Sequence, residues 1–132
     1  DNFAQNIFLA AATPAQYAAL AAFDDDTRLI LEQRRDEFEL RRNYLLPEIK
    51  ALGFKVSSAP QGAFYIYADC SAITQDSENF SEQLLERAGV AVTPGMDFGT
   101  NRAKQHVRFA YTTSIGRLTE GVKRINEFIA NR

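Results

Sequence analysis

The spacing of apolar residues changes at Gly53, and this change limits the folds that the chain can adopt. Before it, five apolar residues share one helical stripe: Leu31, Phe38, Leu45, Ile49 and Leu52. This stripe predicts one long helix over residues 27–52, which Gly53 ends. Pro47 lies inside it and is expected to kink the helix or to restart it, because proline lacks a backbone donor.

Downstream of Gly53 the pattern predicts strands and further helices. Strands are predicted at residues 54–59, 63–69, 90–93 and 106–111, the first two joined in a hairpin-like connection by residues 60–62. One helix is expected over residues 78–88, capped by Asp76 or Ser77 and stopped by Gly89. Ser114 caps a last helix, whose expected core stripe is Ile115, Leu118, Val122, Ile125 and Ile129. The predicted class is α+β, or two-layer α/β: a small, largely antiparallel sheet of about four strands with helices on one face.

The amino-terminal segment carries fewer signals. Residues 6–9 could form a short apolar strand or part of an extended arm. Thr13 and Pro14 then predict the cap and first turn of a short, well-buried helix over residues 15–23. The three aspartates 24–26 offer a cap for the long helix. The chain starts with Asp1 and not with Met, so we expect its natural beginning to be missing or processed.

Composition narrows the possible partners. The 132 residues are 45% hydrophobic and 24% charged, which fits one globular domain. The net charge of −2 argues against nucleic acid as the main partner, and no apolar run is long enough to span a bilayer. The single cysteine, Cys70, cannot form an internal disulfide, which favours a reducing compartment, the cytoplasm.

Strand 106–111 is the most informative segment for function. Its alternation sends Val107, Phe109 and Tyr111 to one face and Arg108 to the other, where a guanidinium could grip a carboxylate. An arginine that only faces solvent on an open sheet explains the same pattern. Strand 63–69, however, carries large apolar residues on both faces, which predicts that the second face is covered and that Arg108 lies in a cleft.

Other segments indicate structure more than chemistry. The loop that contains Pro94, Gly95, Phe98 and Gly99 is expected to make a tight turn with close backbone approach. His106 has no partner identifiable for metal binding, and Cys70 is expected to be an inert thiol.

Three ordered motifs resemble the carboxyl-terminal part of class I and II aminotransferases, which are fold-type I pyridoxal-phosphate enzymes similar to aspartate aminotransferase. They are Pro60-x-Gly-Ala-Phe-Tyr65, the run from Leu84-Leu85 through Ala88-Gly89-Val90 and Pro94-Gly95 to Phe98-Gly99, and Val107-Arg-Phe-Ala110. The segments 16–19 and 34–42 are also similar to that family. The resemblance covers nearly the whole chain.

The resemblance implies a homodimeric enzyme of amino-acid metabolism that moves an amino group from an amino acid to a 2-oxo acid. Arg108 matches the family arginine that binds the substrate carboxylate, and Pro94–Gly99 matches the loop at the active-site entrance. Residues 1–132 then form the small carboxyl-terminal domain, with residues 1–24 as a connecting arm and helix from the missing large domain.

The same resemblance implies that the residues holding pyridoxal 5'-phosphate, including the Schiff-base lysine, belong to the large domain. We therefore expect these 132 residues alone to bind no cofactor and to be inactive. A lyase or synthase that shares this domain stays open as an alternative. So do a non-catalytic carboxylate-binding module and a dimerisation module.

Overall fold

A computed structural model describes Asn2, Asn6 and residues 10–132, so most of the predicted strand or arm at residues 6–9 lies outside the described residues. The chain divides into two compact units, residues 1–37 and 38–132. The described elements are α1 (Thr13–Ala21), α2 (Asp25–Ala51), β1 (Tyr65–Asp69), α3 (Ser77–Ala88), β2 (Thr93–Pro94), β3 (His106–Ala110) and α4 (Ile115–Ala130).

The first unit contains α1 and the start of α2. The expectation of a well-buried helix is wrong for this chain, because no described residue of this unit is buried. A unit this short cannot enclose a core of its own. Thr13 is also not the cap: it is the first helical residue, and Ala12 precedes it as a cap without a side-chain hydrogen bond.

Helix α2 is continuous through Pro47, so the predicted restart is wrong. Asp25 and Asp26 lie in its first turn, where carboxylates favour the positive end of the helix. Gly53 follows with a φ of +97°, a backbone conformation that glycine adopts most easily. Of the predicted stripe, Leu45 and Ile49 are buried, whereas Leu31 is 49% exposed.

The second unit is built on a three-stranded antiparallel sheet in the order β1-β3-β2. The first predicted strand, residues 54–59, is wrong: only Lys55 pairs, through two backbone hydrogen bonds with Asp69 of 2.9 and 2.8 Å. The backbone bends at residues 57 and 58, and Pro60 has no N–H to donate to a ladder. β1 and β3 are close to their predicted places, whereas β2 shares only Thr93 with the strand predicted at residues 90–93. The α+β class is confirmed.

The core of the second unit lies on one face of the sheet, between the strands and the helices. β1 contributes Ile66 and Ala68, and β3 contributes Val107 and Phe109. The remaining members of the core are Leu45, Ile49, Phe54, Cys70, Phe80, Leu84, Tyr111, Leu118, Ile125 and Phe128.

The residues predicted to begin and end α3 are confirmed, whereas the apolar stripe predicted for α4 needs a correction. Asp76 caps α3 through hydrogen bonds from the backbone N–H groups of residues 78 and 79, and Gly89 ends it at a φ of +64°. In α4, Ile115 is 43% exposed although it was expected in the core. Phe128, which is outside the predicted stripe, is buried and packs its ring edge-on against Phe80.

Candidate active site

Arg108 lies in the middle of β3 with a neighbouring strand on each side. It faces Tyr67 across the β1–β3 ladder and Thr93 across the β2–β3 ladder. Val107 and Phe109 are buried on the core face, so the pleat sends Arg108 to the opposite face. The predicted orientation of this strand is confirmed.

The guanidinium of Arg108 has one hydrogen-bond partner among the described residues. Its Nη2 donates to Thr93 Oγ1 at 3.2 Å. Its Nε is buried and has no acceptor within the part of the chain that the structure describes. A buried N–H without an acceptor is costly, so Nε is the unsatisfied polar atom of this side chain within the described residues.

Two aromatic rings lie against the guanidinium. Its Cζ is 4.7 Å from the ring centre of Phe98 and 5.5 Å from that of Tyr65. Both distances allow attraction between the cation and the ring. Tyr65 comes from β1 and Phe98 from a short 3₁₀ helix (Gly95–Phe98) that directly follows β2, so three parts of the chain position one cation.

The segment after β2 is more ordered than a plain loop. The sequence predicts a loop that contains Pro94, Gly95, Phe98 and Gly99, but Pro94 ends β2, and two 3₁₀ helices follow it, Gly95–Phe98 and Ala103–Gln105. The expected close approach is confirmed at Gly95, where a Cβ would lie 2.4 Å from the carbonyl oxygen of Ala103.

These residues border an open cleft of about 520 Å³. Its described lining consists of Tyr65, Tyr67, Phe98, Gly99, Thr100, Asn101, Ala103 and Arg108. Arg108 is the one charged side chain of that lining, so the described part of the cleft favours an anion. Of the predicted site residues, Phe98 and Gly99 meet Arg108 in the lining. Gly95 is buried, and Pro94 pairs with Val107 in the sheet.

A cluster of side chains flanks the cleft at the far end of β1. The ring of Tyr67 stacks on the imidazole of His106, with centres 4.9 Å apart and planes 9° apart. Nδ1 of His106 lies 3.0 Å from the carbonyl oxygen of Arg102, and that arginine pairs with Asp69 at 2.9 Å. Burial raises the pKa of the Tyr67 hydroxyl, and the charge of Cys70 adds to this.

Asp69 is held ionised by this cluster. Partial burial alone would raise the pKa of its carboxyl group, but hydrogen bonds from Ser71 and the charges of Arg102 and His106 outweigh it, so the pKa is lowered. Asp69 and Arg102 thus form a structural ion pair beside the cleft.

Sequence reasoning did not identify Tyr65, Tyr67 or Thr93 as site residues. The two tyrosines alternate with the buried residues of β1, so the signal that places Arg108 on the outer face could also have placed them there. No comparable signal exists for Thr93, because a two-residue strand has too little pattern to read.

Other candidate centres give no support for metal or thiol chemistry. Among the described residues, no three His, Cys, Asp or Glu side chains come together to hold a metal. Cys70 is fully buried, and desolvation raises the pKa of its thiol to about 11, which agrees with the inert thiol expected from the sequence. No helix in the described ranges has the length and apolar character needed to cross a membrane.

Comparison with known proteins shows which family this chain matches. Residues 2–125 match the family Aminotransferase class I and II. The chain is 38% identical over 125 residues to (5-formylfuran-3-yl)methyl phosphate transaminase of Methanocaldococcus jannaschii, covering 95% of this chain and 32% of that protein. It is 42% identical over 114 residues to aspartate/prephenate aminotransferase of Thermus thermophilus, covering 85% and 28%.

Comparison with solved structures also finds aminotransferases. The crystal structure of an aminotransferase from Mycobacterium tuberculosis matches with a TM-score of 0.89 and 32% identity, covering 96% of this chain and 33% of that one. The chain therefore spans about a third of the length of these relatives.

Proposed function

Because the chain belongs to the class I and II aminotransferase family, we propose that it binds the substrate carboxylate in a pyridoxal-phosphate-dependent aminotransferase. That enzyme would transfer an amino group from an amino acid to a 2-oxo acid, and this domain would also close the active site. Two relatives, a transaminase and an aspartate/prephenate aminotransferase, support the reaction class.

The observation that carries the proposal is the state of Arg108. Its guanidinium is the only charged group in the described lining of the cleft, and its Nε is a buried donor without an acceptor among the described residues. A carboxylate supplies two acceptor oxygens in the planar geometry that a guanidinium matches. Arg108 would thereby bind the substrate and fix its orientation, while Phe98 and Tyr65 keep water from one side of the contact.

Pyridoxal phosphate, which the family implies, does not fit the described residues of this cleft. Its covalent anchor is a lysine amine, and no lysine lies in the described lining. The lysines of the chain are Lys50, Lys55, Lys104 and Lys123. We therefore assign this chain no step that passes through the cofactor, and we infer that the 132 residues alone are inactive.

The domain division, the oligomeric state and the compartment of the longer protein belong to the same proposal. Residues 1–132 would be the small carboxyl-terminal domain, and residues 1–24 the connection to a large domain that holds the cofactor. The coverage of about a third of each relative supports this division. We propose a homodimer in the cytoplasm for the longer protein, and the single buried thiol of Cys70 fits a reducing compartment.

The test is a titration of the 132-residue chain with pyruvate, a small 2-oxo acid, followed by NMR through the backbone amide signals of Gly99, Thr100 and Asn101 in the cleft lining. We expect saturable binding that the neutral amide of pyruvate does not reproduce. Truncation in Arg108→Ala should weaken binding by at least about tenfold, because the charged contact is lost. Arg108→Lys should recover only part of it, since an ammonium lacks the two-pronged geometry.

Arg117→Ala is a matched control, because that arginine is exposed on α4. Unchanged pyruvate affinity in a folded Arg108→Ala variant would overturn the carboxylate assignment. In a longer enzyme that contains this chain, Arg108→Ala should raise KM strongly for amino acids and leave cofactor binding largely intact.

A further inference from the structure

The side chains beside the cleft form a continuous row that ends on Arg108. Tyr67 stacks on His106 and meets the ring of Phe98 edge-on, with ring centres 6.0 Å apart and planes at 86°. The ring of Phe98 in turn lies 4.7 Å from Cζ of Arg108. Among the described residues, the rings that lie against the guanidinium are those of Phe98 and Tyr65, so the effect of Tyr67 on Arg108 passes through Phe98.

The far end of this row is fixed to the sheet. His106 pairs with Asp69 in the β1–β3 register. A carbonyl oxygen can only accept a hydrogen bond, so the 3.0 Å contact with the oxygen of Arg102 places the proton on Nδ1 of His106. Arg102 is tied back to Asp69 by its 2.9 Å ion pair. The imidazole is therefore held in one orientation, and it offers Tyr67 a fixed stacking surface.

Tyr67 also contacts both ends of the 3₁₀ helix Gly95–Phe98. Its ring meets Phe98, and its hydroxyl oxygen would lie 2.7 Å from a Cβ at residue 95. Only glycine leaves room for the hydroxyl at that place. The shape of this short helix and the place of Tyr67 thus depend on each other.

Phe98 needs such support because it is 48% exposed and lies at the end of a four-residue helix. A half-exposed side chain at this position is free to change rotamer unless neighbours restrict it. Arg108 is similarly short of partners, since its side chain has one hydrogen-bond partner, Thr93, in the described part of the chain. A ring held in place under the guanidinium limits the orientations that Arg108 can take.

We propose that Tyr67 is a positioning residue that sets the orientation of Arg108 through Phe98. The ring of Tyr67 performs this role through its edge-on contact with Phe98. The consequence for carboxylate binding rests on the proposed function, whereas the effect on the mobility of Arg108 does not. Preorganisation of this kind increases affinity, because less side-chain freedom is lost when the ligand binds.

The experiment measures the rotation rate about the Nε–Cζ bond of Arg108 by NMR in the 132-residue chain, together with pyruvate affinity. In Tyr67→Ala the rotation should become faster and the affinity should fall, each by about two- to tenfold, the range expected for loss of one aromatic pair. Tyr67→Phe should keep both values close to those of the unchanged chain, because it keeps the ring.

Ile115→Ala is the control for truncating a half-exposed apolar side chain, and it should change neither value. Thermal unfolding shows that each variant is folded. If Tyr67→Ala does not fold, Tyr67→Leu replaces it, since leucine fills the place without offering an aromatic face.

The outcomes separate the two proposals. Unchanged rotation of Arg108 in a folded Tyr67→Ala or Tyr67→Leu variant would overturn the positioning role, even if pyruvate binds. If Tyr67→Phe lowered pyruvate affinity and increased the rotation rate of Arg108 as much as Tyr67→Ala, the role of the ring would be overturned. Faster rotation in a chain that never binds pyruvate would support positioning and would refute the carboxylate function alone.

Discussion

Thr93 and Arg108 face each other across the β2–β3 ladder, and Nη2 of the arginine donates to Oγ1 of the threonine at 3.2 Å. The cation of the cleft is thus supported from the strand beside it. The hydroxyl restricts the guanidinium on one side, and two aromatic rings lie against it. An arginine that pointed freely to solvent would have no such surroundings.

Replacing Thr93 by valine keeps the shape of the side chain and removes the acceptor. We expect pyruvate affinity to fall by about two- to fivefold, because one hydrogen bond that orients Arg108 is lost. Thr93→Ser keeps the hydroxyl and should bind nearly as well as the unchanged chain. Equal affinities for the valine and serine variants, measured by the same NMR titration, would show that this hydrogen bond does not matter for binding.

Gly95→Ala should destabilise the chain by more than about 2 kcal/mol, since the added Cβ would meet the backbone oxygens of Ala103 and His106 at 2.4 and 2.9 Å. Urea unfolding measures the loss. Gly116→Ala on α4 is the control: a Cβ there meets nothing within 4 Å, so helix propensity should make that variant slightly more stable. A Gly95→Ala variant as stable as the control would contradict the close packing described here.

Asp69→Asn tests the ion pair beside the cleft. The pKa of Asp69 is lowered in the folded chain, so the unfolded chain takes up a proton more readily. The stabilisation is therefore present above the unfolded pKa near 4 and is lost as the pH falls through the lower folded value.

We expect Asp69→Asn to lose roughly 1–2 kcal/mol at pH 7, and the difference from the unchanged chain should vanish near pH 2. Denaturant unfolding at several pH values measures this. Glu120→Gln breaks the exposed pair with Arg124 and should have a smaller effect. A constant difference at all pH values would mean that ionisation of Asp69 is not the cause.

Cys70 should make the chain less stable at alkaline pH. Its thiol has a pKa of about 11 when folded, because burial disfavours the thiolate, so the unfolded chain loses its proton first. The stabilisation is present below the unfolded pKa and is lost, by about 2 kcal/mol, as the pH rises to the folded value.

Cys70→Ala should remove this part of the loss of stability at alkaline pH. The substitution also creates a small cavity that lowers stability at every pH. A thiol reagent gives a second measurement, since the buried thiol should react only when the chain opens. Rapid labelling of the folded chain at pH 8 would contradict the burial of this residue.

Much of the site could be predicted from one strand. The alternation in β3 correctly placed Arg108 away from Val107 and Phe109, because successive side chains of a strand must point to opposite faces. The motif Pro94–Gly99 correctly indicated a close backbone approach, since only glycine permits it. That Phe98 lies against Arg108 needed the structure, because ten residues separate them in the sequence.

The sequence predictions that were wrong failed because local patterns do not specify tertiary contacts. Residues 54–59 have the composition of a strand, but Lys55 alone finds a ladder partner, because pairing depends on the neighbouring backbone and not on composition. The helix at Thr13–Ala21 forms as expected, yet its apolar residues are exposed, because its own unit offers no core.

The sequence by itself determined where α3 begins, where α2 and α3 end, and which strand residues share a face. Asp76, Gly53 and Gly89 act through the sterics and hydrogen bonds of a few neighbouring residues. Only the tertiary structure decided that Tyr67, Phe98 and Thr93 surround Arg108. Such contacts join residues that are distant in the chain, and they follow from strand order, register and packing, which no local pattern encodes.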